Sequence, residues 1–135
     1  MTTLLPFSMF YLSLISALAL FLTMRVVKVR MDTSIGLSHG GDENLTRQIR
    51  VHANLLENLL PFALLFILAE LNQTSIIFLH LAGAFFLLAR LLHAYGFSKK
   101  SGRSSGRYYG TIISWLVIAT LIGLNFYYGL TFLIS

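Results

Sequence analysis

Apolar residues fill four long stretches of this chain, and shorter polar segments separate them. The first stretch covers residues 6–29, and its core from Phe7 to Met24 holds no charge. About 20 helical residues cross a hydrocarbon layer about 30 Å thick, so this stretch predicts a spanning helix. Pro6 suits a first turn, and Ser8, Ser13 and Ser16 suit close contact with a neighbouring helix. The second stretch covers residues 44–70. It opens on polar turns with Arg47, Gln48 and Arg50 and is strongly apolar from Leu55 to Leu68. That apolar part is short for a span, so the polar turns must also reach membrane depth and face protein. Pro61 removes a backbone donor and predicts a kink. The third stretch covers residues 74–96, where Gly83 with Ala82, Ala84 and Ala89 offers a small-residue contact face. The fourth covers residues 107–133 and is uncharged from Gly110 onward; Trp115, Tyr127 and Tyr128 suit interfacial anchoring.

These elements predict an all-α, integral membrane four-helix bundle with up-down topology, a single domain over residues 1–135. Composition agrees, with 56% hydrophobic and 11% charged residues and a mean hydropathy of +0.77. A soluble domain carries roughly 25% charged residues. No cysteine is present, which excludes disulfides, a protein thiolate and cysteine-ligated metal. The net charge of +5 lies in loops and at helix ends, not along a polar face. That points away from nucleic acid and towards anionic lipid headgroups or an anionic ligand. The start of the chain lacks a basic n-region, so the first stretch reads as a retained anchor rather than a cleaved signal. Lys28, Arg30, Arg47, Lys99, Lys100 and Arg103 lie in or beside the first and third loops, with Arg50 and Arg107 at their edges. The termini and the second loop carry no lysine or arginine. The positive-inside rule then predicts cytoplasmic first and third loops and both termini outside.

The chemistry concentrates in the second stretch. Arg50, Asn54, Glu57 and Pro61 recur at i, i+4, i+7 and i+11 and share one helical stripe. A carboxylate set that deep is costly unless paired or turned towards protein, so an ion pair of Glu57 with Arg90 or Arg50 is one expectation. Arg25 either snorkels to headgroups or points inward at an anion. Arg90 and His93 lie three apart on one side of the third helix. Arg50, Arg107, Asn54 and Arg25 would together surround a polar pocket near the cytoplasmic surface, with cations in excess. Guanidinium groups bind carboxylates bidentately, and a nearby cation favours a thiolate. His52 reads as interfacial or contact-forming, and His39 as a solvated loop residue. The histidine spacing makes no metal site, and no metalloprotease, nucleotide-loop or hydrolase-elbow motif is present.

The run Arg50-Val-His-Ala-Asn54-Leu-Leu-Glu57-Asn-Leu-Leu-Pro61, with Arg90-Leu-Leu-His93, the basic third loop and Arg107, resembles the MAPEG family. These are membrane-associated proteins in eicosanoid and glutathione metabolism, and the bacterial branch is similar in length. The resemblance implies a homotrimer with glutathione between subunits near the cytoplasmic side. It implies that Arg50 and Asn54 contact glutathione, that Glu57 binds its amino end or orients the arginines, and that His93 lines the site. Arg107 is similar to the arginine that stabilises the thiolate. The chain departs from relatives at Ala53, often basic or polar there, and at Phe97, a tyrosine in some.

The leading reading is a glutathione-dependent transferase or peroxidase at the bacterial inner membrane, acting on hydrophobic electrophiles, with glutathione as co-substrate. Its partners would be membrane lipids, the apolar substrate and two further copies. Other readings are a small multidrug-type proton-coupled transporter, with Glu57 exchanging protons, and a non-catalytic membrane protein.

Overall fold

A computed structural model describes residues 4–99 and 104–134, without the side chains of 97–99. The basic centre of the third loop, residues 100–103, and the Phe97 and Lys99 side chains therefore lie outside the described residues. Four helices follow one another: α1 (Pro6–Thr33), α2 (Glu43–Leu71), α3 (Ile76–Lys99) and α4 (Ser105–Ile134). Each contains a stretch long and apolar enough to cross a bilayer. They form a four-helix bundle.

α2 packs against all three other helices and α3 does the same, whereas α1 and α4 do not touch among the described residues. The section is thus a diamond, with α2 and α3 on the short diagonal. Phe62, Phe66, Phe86, Ile15, Leu79 and Leu121 fill the centre. Phe62 and Phe86 stack 3.8 Å apart across the α2–α3 seam, with ring planes 4° from parallel.

The first helix runs a turn beyond its expected end. No glycine or proline interrupts the chain before Gly36, and Ser34 closes the helix in the left-handed region at φ 56°. Arg30 then donates to the carbonyls of Ile35 and Ser38 and ties the loop back. Asp42 caps α2 by accepting from the Leu45 backbone N–H at 2.6 Å.

The start of α1 is capped from far away. Leu5 at the cap position offers no side-chain oxygen, and Pro6 has no N–H to satisfy. Glu70, at the end of α2, accepts from the backbone N–H groups of Phe7 at 2.9 Å and Ser8 at 2.7 Å. Met9 donates to the Leu5 carbonyl. Every donor of the first turn is accounted for. The same end is tied to α4 by a hydrogen bond between Thr74 and Tyr128 hydroxyls at 3.2 Å. The start of α1, the end of α2 and the end of α4 therefore share one end of the bundle, and the first and third loops lie at the other.

Two small-residue contacts set helix distances. Gly83 of α3 lies against the Tyr11 ring, where a Cβ would overlap it. At the other end, Gly96 of α3 lies against Gly106 and Arg107 of α4, and Gly110 lies against the backbone of Ala89 and His93.

Candidate functional site

The polar stripe of α2 divides between two environments. Arg50 and Glu57 are exposed, whereas Asn54 and Pro61 are half-buried. At 3.6 residues per turn, Glu57 stands about 60° round the helix from Asn54. Asn54 therefore turns towards α3 while Glu57 faces out. Glu57 has no ion-pair partner among the described residues. The Glu57–Arg90 and Glu57–Arg50 pairings expected from the sequence are not formed.

Arg90 finds other partners. It is 2% exposed, and Nη1 donates to Asn54 Oδ1 at 3.0 Å. Nη2 donates to the Gly110 carbonyl at 3.2 Å, and the guanidinium carbon lies 5.9 Å from the Phe86 ring centroid. Arg90 thus fastens α2, α3 and α4 at one level. Its Nε is buried without a partner. No carboxylate neutralises it among the described residues, so this end of the bundle holds an uncompensated buried cation.

His93, one turn further along α3, is buried and lies close enough to both Arg90 and Arg107 to feel their charges. Arg107 is half-buried in the first turn of α4. Gly96, Gly106 and Gly110 let the α3 and α4 backbones approach closely around these residues. Arg25, near the far end of α1, is half-buried with its guanidinium 6.0 Å from the Phe21 ring centroid. His52 accepts or donates one hydrogen bond with Thr23 at 2.9 Å, a contact between α1 and α2.

The cations thus gather on α2, α3 and α4 at the end of the first and third loops, with the α2 stripe as an uncovered edge. A profile of the MAPEG family matches residues 8–127, nearly the whole chain. The chain belongs to the MAPEG family. It is 28% identical over 121 residues to the inner membrane protein YecN of Escherichia coli K12, covering 90% of this chain and 91% of YecN. The YecN of E. coli O6:H1 matches to the same extent. No solved structure matches.

In this MAPEG chain, four features escaped the sequence reading. Arg90 was expected as an ion-pair partner for Glu57 and as part of the ligand-binding set; its buried guanidinium grips Asn54 and Gly110 rather than Glu57. Glu70, the last residue of the second stretch, caps α1. Asn125 donates to the carbonyls of Leu65 and Leu121 and pins α4 to α2 in an apolar layer. Gly106, Gly110 and Ser114, each four residues apart, form the face of α4 that meets α3. That last spacing was visible in the sequence, because small residues at i and i+4 mark close helix packing.

Proposed function

We propose that this MAPEG protein is a glutathione-dependent transferase or peroxidase acting on hydrophobic electrophiles from the bilayer. The observation that carries the reading is that Arg50 and Glu57, two ionisable side chains of α2 unpaired among the described residues, are left exposed on one side of a membrane-spanning helix. With the Leu71 end at one edge of a hydrocarbon layer of about 30 Å, Glu57 lies about 21 Å in, still inside it. An ionised side chain at that depth needs a polar neighbour. A second and third copy of the chain, closing a homotrimer over this edge, supply the wall, and glutathione supplies the counter-charges.

Arg50 and Asn54 hold the carboxylates of glutathione, and Glu57 takes its ammonium group or orients the arginines. His93 lines the site, with Arg25 near its cytoplasmic mouth. Arg107 stabilises the thiolate, whose sulfur attacks the electrophilic carbon while the leaving group departs with its electron pair. The excess of arginine disfavours a cationic drug as cargo. YecN is named as an inner membrane protein, which supports the same location here; the lysines and arginines of the first and third loops favour the cytoplasmic side for both.

Turnover tests this reading. Detergent-purified protein is mixed with glutathione and an apolar chloronitroarene, and chloride release is followed. Arg107→Gln is expected to lower kcat by about tenfold or more, the scale of one lost charge-stabilising contact. Chloride release no faster than without protein would remove the transferase reading.

A further inference from the structure

The side chain of Asn54 meets the protein through its amide oxygen, which accepts from Arg90 Nη1 at 3.0 Å. A guanidinium has only donors, so the amide cannot be turned over without setting N–H against N–H. The amide nitrogen of Asn54 has no protein partner among the described residues, and it is not a buried unpartnered atom. Its N–H groups are therefore left at least partly accessible, on the helix that also carries the exposed Arg50 and Glu57.

We infer that Arg90 is a positioning residue: it locks the Asn54 amide so that only donors face the ligand, and thereby selects an acceptor at that subsite. A carboxylate or amide carbonyl satisfies Asn54 and Arg50 together, whereas an ammonium group there meets donors alone. The lock is firm because the Gly110 carbonyl holds Arg90 Nη2 at 3.2 Å and Phe86 lies beneath the guanidinium. At 2% exposure, Arg90 acts through Asn54 rather than by touching the ligand. The inference rests on the glutathione reading, whose carboxylates supply the acceptors.

Four variants test it: Asn54→Asp, Asn54→Leu, Arg90→Lys and Arg90→Gln. Thermal midpoints are measured without ligand, and glutathione affinity by calorimetric titration, all on the detergent-purified full chain. Aspartate still accepts from Arg90 but presents no donor outward. Asn54→Asp is therefore expected to keep the midpoint that Asn54→Leu loses, while binding glutathione roughly tenfold more weakly. Lysine is also donor-only, so Arg90→Lys should stay within about threefold of wild type. Glutamine both donates and accepts, which frees the amide to flip, and Arg90→Gln should weaken binding roughly tenfold. Asn54→Asp binding as wild type does, or Arg90→Gln matching Arg90→Lys, would overturn the inference, as would equal midpoints for Asn54→Asp and Asn54→Leu. A wild-type chain that binds no glutathione, with Asn54→Asp still more stable than Asn54→Leu, would overturn the glutathione reading and leave the Arg90–Asn54 lock standing.

Discussion

Glu57 and Glu70 lie on the same helix and have opposite surroundings. Glu70 is buried with both oxygens filled by backbone donors of α1, whereas Glu57 faces outward. Glutamine at position 70 keeps one acceptor and sets an NH₂ group against a backbone N–H. Glu70→Gln is therefore expected to cost about 1–3 kcal/mol in detergent unfolding, the cost of a buried donor left unpaired. Glu57→Gln breaks no hydrogen bond among the described residues and should cost less than Glu70→Gln in the same measurement. The two residues also differ in how far the sequence reveals them. Glu57 stands out because Arg50, Asn54 and Pro61 repeat at its helical period. Glu70 does not, because its partners are main-chain N–H groups 62 and 63 residues away, and a backbone donor leaves no mark in the residue types.

At the scale of helices, apolar runs longer than a bilayer made the four elements and their class legible. The end of α1 was less so, since Ser34 stops that helix through local hydrogen bonds rather than hydropathy. Which helices touch was also hidden, except where small residues repeat. A Cβ at Gly110 would stand 2.5 Å from the Ala89 carbonyl oxygen, so α4 must move away from α3 to accept it. Gly110→Leu is expected to lose about 1–3 kcal/mol or more by overpacking and to break the Arg90–Gly110 bond. Gly123 on the same helix has nothing within 4 Å of such a Cβ. Gly123→Ala should be neutral or gain up to about 1 kcal/mol from helix propensity. Thermal unfolding of the two variants in one detergent compares them directly.

For the whole molecule, the diamond section leaves α1 and α4 apart and α2 with an uncovered edge that begins polar, at Arg50 and Glu57, and ends apolar, at Leu60, Leu64 and Leu68. The apolar part suits lipid or another copy; the polar part suits neither unless a ligand or a facing subunit completes it. The proposed trimer predicts native mass spectra dominated by three copies of the 15.1 kDa chain. A monomer as the main species would contradict that assembly. No single-chain pattern reveals such a seam, because a residue facing a second copy and one facing lipid look alike until the fold shows which side is open.

The most direct measurement is a glutathione titration of the detergent-purified protein, run alongside Arg50→Ala and Glu57→Gln. The account predicts saturable binding to wild type, weakened roughly tenfold or more in each variant, as loss of a charged hydrogen-bond partner implies. Equal and negligible heats for all three proteins would contradict it.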